Sequence, residues 1–463
     1  MRLAHWRIVS LCALVLCLAV PAFAQAPEER IEQLEHEVAA LKAQIDQIKT
    51  AEMQAEGGET GGDRIAELER KVDVLAQEIE KLRIGEAAVE PDTSLYGFGP
   101  AASKIYRTER GLSIGGYGEL IYRNAQGEAE EEDEEGSLRD EEGEEEEEGV
   151  EGDSFDLQRA VLYVGYKFND RWLLNSEVEY EHAGGEIEVE FAYVDYLWRP
   201  QANFRAGLVL MPMGFINELH EPTVFLGANR PDVEQVILPS TWREDGFGLF
   251  GNAGPFTYRT YIVNGFDASG FSERGLAGGR QQGSEAKAED LAWVGRLDYT
   301  GVPGLLLGGS AYVGDAGQDL EPAVRTQIVE GHLEWKWRGL EFRALGARAT
   351  VDDVAELNEA LELTGDESVG ETLTGYYLQL GWDVLAGRGE RSLTPYARWE
   401  SYNTQDEVPA GFVADPAHDV DSLTLGVAYK PIDQIVIKVD HQDYDNAAGT
   451  GVDQFNVLLG WIF

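Results

Sequence analysis

Apolar positions recur along this chain with two different periods. Between residues 31 and 82 they repeat every three or four positions, the spacing of one apolar stripe along a helix. From about residue 112 to the C-terminus the period becomes two, as on a strand with one apolar and one polar face. Val457, Leu459 and Trp461 near the end of the chain share such a face. The pattern predicts a helical N-terminal part followed by a long β part.

The β part predicts about sixteen antiparallel strands, most of them long enough to cross a bilayer when tilted. Short turns such as 169–170 and 431–434 alternate with long loops such as 265–288 and 403–420, as in a barrel with short turns on one rim. A soluble β-sandwich is the alternative, but it gives no reason for this alternation. The predicted fold class is all-β, a transmembrane antiparallel β-barrel over 112–463 preceded by an α-helical coiled coil. The strands are expected near 112–123, 155–168, 171–182, 187–199, 203–210, 243–251, 255–264, 289–300, 304–314, 325–338, 339–351, 372–384, 391–402, 421–430, 434–444 and 453–463.

The first 24 residues have the order of a secretory signal peptide. Two arginines precede an apolar run over 8–20, and Ala22-Phe23-Ala24 supplies the small residues before cleavage at Gln25. Both cysteines, Cys12 and Cys17, lie in this segment. The exported chain is therefore expected to have no disulfide and no cysteine metal site.

Residues 25–90 predict a periplasmic coiled coil, joined to the barrel by a linker at 91–111. Two helical runs, separated by a glycine-rich stretch at 57–62, each cover only about three heptads, which favours self-association supported by the rest of the protein. The seam residues alone favour two strands, and a solvated amphipathic spacer is the alternative. The seam consists of Ile31, Leu34, Val38, Leu41, Ile45, Ile48, Ile65, Leu68, Val72, Leu75, Ile79 and Leu82.

The charge of the chain is strongly negative, with 37 basic and 85 acidic residues. This balance argues against nucleic acid or an anionic lipid surface as the main partner. Part of the excess lies in a predicted acidic external loop at 124–154, in which Arg139 is the lone base. Such a loop is too repulsive to fold alone, and it would either concentrate divalent cations or merely solvate the barrel mouth.

Several segments resemble outer-membrane porins related to the phosphate-selective porins O and P. The resemblance rests on Gly115-Gly116-Tyr117-Gly118, Leu157-Gln158-Arg159-Ala160-Val161-Leu162, Phe204-Arg205-Ala206-Gly207 and Pro212-Met213-Gly214. The ending Trp461-Ile462-Phe463 resembles the signal that the barrel-assembly machinery recognises, with Phe463 as its terminal residue. The phosphate-selective porins have a segment that resembles Gly-Gln-Phe-Lys before the Pro-x-Gly motif. In this chain Leu210 stands in place of the lysine. The resemblance implies a homotrimer surrounded by outer-membrane lipid that passes small solutes or ions.

Strand parity places charged side chains on the face opposite the apolar one, where a water-filled lumen would lie. Each of them could instead form a salt bridge that holds the barrel wall in shape. Asp195 breaks the parity of its strand and indicates either a β-bulge or a register error. The pore-lining candidates are Arg159, Arg205, Arg259, Arg296, Arg343, Arg398, Lys430, Lys438, Glu177 and Glu179.

The third predicted external loop, 211–242, is the candidate constriction loop. In general porins the corresponding loop resembles a plug folded into the lumen, and the alternative is an external flap. Charges of both signs in and beside this loop suit a narrow eyelet. The constriction candidates are Asn229, Arg230, Asp232, Glu234 and Arg243.

We find no enzyme motif in this sequence. The seven histidines are scattered, and no nucleophile elbow, phosphate loop or zinc-binding spacing is present, so no catalytic residue, cofactor or metal ligand is predicted. The favoured function is an outer-membrane porin for passive diffusion of small hydrophilic solutes or ions, phosphate and other anions included. The alternative is an envelope anchor with a plugged barrel, whose coiled coil reaches the cell wall or a periplasmic partner. Selectivity is open, because the resemblance suggests anions and the acidic composition favours cations.

Overall fold

A computed structural model describes residues 36, 38–42, 45, 71, 95–108, 110–126, 153–389 and 391–463. The chain divides into two compact units, Met1–Asp92 and Thr93–Phe463. In the first unit the described residues are helical, and they include the predicted seam residues Val38, Leu41 and Ile45. The other seam residues, the signal peptide and most of the acidic loop lie outside the described residues. The coiled coil and the cleavage site therefore stay predictions.

The second unit is a closed antiparallel barrel of sixteen strands. Each strand pairs with its neighbours in sequence, and the first pairs with the last. The predicted strand number is confirmed, and every predicted strand end lies within five residues of the observed one. The strands are β1 (Gly111–Gln126), β2 (Asp153–Lys167), β3 (Trp172–Glu181), β4 (Glu186–Arg199), β5 (Ala202–Leu210), β6 (Arg243–Ala253), β7 (Phe256–Asn264), β8 (Leu291–Val302), β9 (Leu305–Asp315), β10 (Arg325–Trp337), β11 (Leu340–Val351), β12 (Thr372–Trp382), β13 (Ser392–Glu407), β14 (Asp419–Ile432), β15 (Ile435–Asn446) and β16 (Asp453–Ile462).

Three short α-helices accompany the barrel in the described part of the chain: α1 (Lys104–Arg107), α2 (Asp232–Val236) and α3 (Val354–Ala360). Single 3₁₀ turns occur at His182–Gly184, Ala268–Gly270, Ala277–Gly279 and Pro416–His418. None of the helices among the described residues combines the length and the apolar character that crossing a membrane requires.

The outer face of the barrel is apolar, whereas its interior holds buried polar and charged side chains beside a buried apolar cluster. In β14, Leu423, Leu425 and Val427 are 39%, 54% and 38% exposed, while the alternating Ser422 and Thr424 are each 2% exposed. A soluble protein buries its large apolar side chains, so this arrangement is inverted. A closed sixteen-stranded barrel with such an outer surface fits a transmembrane β-barrel.

Glycines in β1 allow the terminal aromatic residues to close the barrel. Gly116 and Phe463 exchange two backbone hydrogen bonds, with N···O distances of 2.9 and 3.2 Å. A β-carbon on Gly118 would collide with the indole ring of Trp461. The motif Gly115-Gly116-Tyr117-Gly118 and the ending Trp461-Ile462-Phe463, which both resemble porin sequences, thus meet where the barrel closes.

A β-bulge in β4 explains why Asp195 breaks the strand parity. The pairing between β3 and β4 shifts between Glu177 and Val178, which leaves Glu190 as an extra residue in β4. Glu190 and the following Phe191 are both buried, at 1% and 0% exposure. An extra residue moves every later side chain to the opposite face. Asp195 is thereby turned into the barrel, and the register-error alternative is not needed.

Candidate functional site

The segment 211–242, here called the inner loop, crosses the interior of the barrel. On one side Arg343 of β11 donates to the carbonyl of Val224 at 2.8 Å. On the other side His220 Nε2 lies 3.4 Å from the Glu177 carboxylate of β3. β3 and β11 stand diametrically opposite each other in the ring of sixteen strands. The loop therefore folds inward, and the external-flap alternative is wrong.

Glu234 holds the inner loop together and fastens it to the wall. Its carboxylate accepts hydrogen bonds from the backbone N–H groups of Phe215 and Ile216, each at 2.7 Å. It also accepts one from the Tyr377 hydroxyl of β12 at 2.7 Å. Burial raises the pKa of Glu234, although these hydrogen bonds act in the opposite direction. This constriction candidate serves as a tether between α2, the start of the loop and the wall.

The other constriction candidates within the loop lie against β13 and β15. Arg398 of β13 donates to the carbonyls of Asn229 and Arg230 at 3.3 and 3.4 Å. Gln442 of β15 donates to the Asp232 carboxylate at 2.7 Å. These contacts fix the path of the loop along that part of the wall.

Arg243 does not belong to the inner loop. It is the first residue of β6, and its guanidinium pairs with Glu188 of β4. We expected it to be a constriction residue as part of the run Trp242-Arg243-Glu244-Asp245. The structure corrects this assignment, since Arg243 extends from the wall and pairs with the wall.

A second segment, residues 95–108, also packs inside the barrel and is here called the N-terminal segment. The backbone N–H groups of Ala101 and Ala102 donate to the buried carboxylate of Glu221 in the inner loop, at 2.9 and 3.0 Å. We expected this part of the chain to be a linker between the coiled coil and the barrel. It is instead bound to the inner loop, which is a correction of the predicted domain organisation between 91 and 111.

Arg205 anchors the N-terminal segment to the wall. Its guanidinium binds both carboxylate oxygens of Asp195 at 2.9 and 3.0 Å and donates to the Tyr106 hydroxyl at 2.7 Å. The same group lies 3.9 Å from the ring centre of Tyr193. Arg205 is only 3% exposed. This pore-lining candidate therefore connects β5, β4 and the N-terminal segment.

Acidic side chains or loop carbonyls contact other interior cations. Arg296 of β8 contacts Asp298 at 2.9 Å, and Arg259 of β7 contacts the same carboxylate at 3.1 Å. Arg259 also reaches Glu218 of the inner loop at 2.9 Å. Lys430 of β14 donates to an inner-loop carbonyl at 2.6 Å. Charges of both signs thus alternate around the interior.

All ten pore-lining candidates lie on the inner face of the barrel. Arg159 contacts Glu179 at 3.1 Å, and Arg398 contacts Glu400 at 2.6 Å. Nine of them are at most 9% exposed, and Lys430 is partly buried. Their position agrees with the strand parity, whereas their role in lining a water-filled path stays a prediction.

Three residues of the site, His220, Glu221 and Tyr106, were not predicted from the sequence. His220 and Glu221 acquire partners only because the inner loop folds inward, and Tyr106 lies in the segment that we took for a linker. The apolar and aromatic residues Tyr96, Phe98 and Ile105 were the available signal, because a solvated linker seldom carries such residues.

Comparison with known proteins gives one relative in sequence. An uncharacterized protein of Aquifex aeolicus (strain VF5) is 34% identical over 400 residues, which is 83% of this chain and 87% of the relative. The chain belongs to the family of this protein. No family model matches it.

Solved structures share the general barrel shape only weakly. The Salmonella typhi OmpF complex with daunomycin gives a TM-score of 0.49 at 11% identity, covering 78% of this chain and 99% of that one. The outer-membrane channel DcaP of Acinetobacter baumannii gives 0.46 at 11% identity, covering 76% and 97%. An anion-selective porin from Comamonas acidovorans gives 0.45 at 11% identity, covering 77% and 100%. Likenesses this weak carry no argument about this chain.

Proposed function

We propose that this protein is an outer-membrane porin through which small hydrophilic solutes or ions diffuse passively. The observation that carries the proposal is the inner loop crossing a closed barrel whose interior is charged. A polar wall suits hydrated solutes, and a loop across the lumen narrows the path to molecular size. The inner loop is the proposed constriction.

The outer membrane is the proposed location. A closed barrel leaves no unpaired strand edge, so it can stand in hydrocarbon with all its backbone groups bonded. The outward residues Leu423, Leu425 and Val427 of β14 match such surroundings. Removal of the predicted signal peptide and a coiled coil in the periplasm complete the proposed topology.

A weakly selective pore is the proposed transport behaviour. The interior arginines are matched by carboxylates, as in the pairs Arg296–Asp298 and Arg398–Glu400, so the interior does not form a cationic funnel. Leu210 stands at the position where the resemblance to the phosphate-selective porins implies a lysine. It is buried, at 2% exposure. Phosphate selectivity therefore has no support at this position.

A homotrimer assembled by the barrel-assembly machinery is the proposed form in the membrane. Phe463, the last residue of the resembling signal, lies in the seam where β1 meets β16. We infer that the barrel-assembly machinery reads this terminal signal when β16 pairs with β1 and completes the barrel. The trimer rests on the family resemblance alone, because the seam of the predicted coiled coil by itself favours two strands.

The extent of burial inside the barrel favours a second candidate function, an envelope anchor with a plugged barrel. Lys438 and Glu400 are fully buried and Arg398 is 1% exposed. The inner loop and the N-terminal segment both occupy the interior. An anchor needs only the closed barrel and the periplasmic segment, with no conducting path.

Planar-bilayer recording separates the two functions. Purified protein is inserted under a salt gradient, and phosphate is then titrated in. A porin gives stepwise conductance, the reversal potential gives the sign of its selectivity, and block by phosphate would reveal an anion site. Protein that is inserted and folded but electrically silent would contradict the porin and support the anchor.

A further inference from the structure

Three side chains from separate parts of the fold converge inside the barrel: Glu177 of β3, Glu190 of β4 and His220 of the inner loop. One ligand atom of each lies within 4.8 Å of the others. All three residues are at most 2% exposed. Glu190 is the extra residue of the β4 bulge, and the bulge is what lets it face inward beside Phe191. We propose that Glu177, Glu190 and His220 form a binding site for a divalent transition-metal ion of the zinc type.

The imidazole of His220 is held in the manner of a metal ligand. Its Nδ1 is 3.1 Å from the carbonyl oxygen of Asn217, to which it can donate its proton. That hydrogen bond leaves the Nε2 lone pair directed at the two carboxylates. Histidine ligands of metals commonly donate their other ring N–H in this way.

The distances within the cluster suit a shared metal ion. His220 Nε2 lies 3.4 Å from Glu177 Oε1 and 3.2 Å from Glu190 Oε2. Zinc bonds of about 2.0–2.1 Å at a tetrahedral angle place neighbouring ligand atoms about 3.3–3.4 Å apart. The contact between His220 and Glu177 is also within hydrogen-bond range, but it is longer than the roughly 2.7–2.9 Å of a charge-assisted hydrogen bond.

A second buried histidine shows what the non-metal arrangement looks like in the same barrel. His332 places Nδ1 2.9 Å from Glu330 and Nε2 2.9 Å from Asp298, both hydrogen-bond lengths. Its two carboxylates lie on opposite sides of the ring, so they do not converge on one point. His220 differs in both respects, because both carboxylates approach the same nitrogen at longer range.

Unpartnered oxygens give independent support for a ligand at this point. Among the described residues, Glu177 Oε2 is buried without a hydrogen-bond partner. The Tyr117 hydroxyl is also buried without one, and its ring centre is 5.9 Å from that of His220. A buried carboxylate oxygen with no donor is costly, and a divalent cation would satisfy both carboxylates at once.

One nitrogen and carboxylate oxygens define the expected preference among metals. Imidazole with carboxylates suits zinc and neighbouring transition metals, whereas calcium prefers six to eight oxygen ligands. Bound metal would join the inner loop to β3 and β4. This site does not depend on whether the barrel conducts.

The test is metal retention by the full-length mature protein refolded with ZnCl₂ and then passed through a desalting column. Zinc is counted by mass spectrometry, and folding is checked by the heat-dependent gel shift of barrels. The wild type and the control His332→Gln are expected to retain about one zinc per chain. Glu190→Gln and Glu177→Gln are expected to retain at least about tenfold less, and CaCl₂ in place of ZnCl₂ is expected to leave no stoichiometric calcium.

Two results would overturn the site. One is a folded wild type that retains no zinc. The other is equal zinc in the wild type and in folded Glu190→Gln or Glu177→Gln, which would assign the metal to other carboxylates such as those of the acidic loop. Two substitutions are used so that a folding failure in one of them leaves the other to decide.

Discussion

The indole ring of Trp461 occupies the space into which a side chain at position 118 would project, and Gly118 leaves that space free. Gly118 and Trp461 face each other across the β1–β16 pair, which among the described strands is the pairing that joins the two ends of the barrel sequence. The contact therefore belongs to the step at which the barrel closes.

Gly118→Val is expected to hinder closure of the barrel. The added side chain would have to displace the Trp461 ring, at the cost of roughly 1–3 kcal/mol that is typical of overpacking. The measurement is the fraction of refolded protein that shows the heat-dependent gel shift. Gly331→Val in β10 is the control, because a β-carbon there meets no atom within 4 Å. Equal folding of the two variants would show that the seam tolerates the collision.

Arg205→Met is expected to destabilise the barrel by about 3–5 kcal/mol, because it leaves the buried carboxylate of Asp195 without its cation. Urea unfolding in lipid vesicles measures the change. Arg325→Met serves as the control, since its pair with Asp315 is exposed and such pairs contribute about 0–1 kcal/mol. Comparable losses in both variants would contradict the claim that the buried Arg205–Asp195 pair contributes more than an exposed pair.

Alternation of period two predicted the strands well because it is a local property of the chain. Each strand repeats apolar-out and polar-in, and the turns between strands carry their own residue signals. The ends differ most at β13, which extends to Glu407 although we expected it to end near residue 402. The pattern fades there, since Gln405 near the rim is buried by loop carbonyls.

The interior contacts could not be predicted in the same way. One additional residue at the β4 bulge reverses the parity, and the sequence near Glu190 does not fix where that residue stands. The contacts of Glu221 and His220 depend on the path of a loop through the barrel. Side chains that meet there come from β3, β4 and the inner loop, and no spacing in the sequence connects them.

Tyr377→Phe is expected to make the inner loop less firmly held. The substitution removes one of the three hydrogen bonds to Glu234, and a bond to a charged group is worth about 1.5–3 kcal/mol. Since 1.4 kcal/mol corresponds to about tenfold, the displaced loop should be populated at least about tenfold more often. If the protein conducts as proposed, single-channel recordings will show more frequent current fluctuations.

The matched control for this prediction is Tyr376→Phe. Tyr376 is the preceding residue of β12, and it is 45% exposed on the outer face. It should leave the current fluctuations unchanged. If the current fluctuations rise equally in both variants, they do not arise from loss of the hydrogen bond between Tyr377 and Glu234.

Lys438→Met is expected to raise stability by about 1 kcal/mol. The Lys438 ammonium is fully buried 3.6 Å from the ring centre of Phe225, and among the described residues it has no hydrogen-bond partner. Losing a cation–π contact costs less than the unsatisfied buried charge does. Lys430→Met is the control and should lower stability, because its ammonium donates to the Thr223 carbonyl. A less stable Lys438→Met with an altered reversal potential would instead place this ammonium on the water-filled path.

Deletion of residues 25–90 is expected to weaken the oligomer while leaving each barrel folded and conducting. The barrel unit Thr93–Phe463 is compact in itself, and the deletion ends before this unit begins. Two helical runs of about three heptads are too short to associate without help from the barrels, so they should add to an existing contact between barrels. Crosslinking in detergent measures the oligomer, and bilayer recording measures the current per folded barrel. An unchanged oligomer would show that the predicted coiled coil does not contribute to oligomer assembly. If the deletion abolishes envelope attachment while the barrels stay folded and do not conduct, the anchor is favoured. Only an anchor requires this segment to extend through the periplasm.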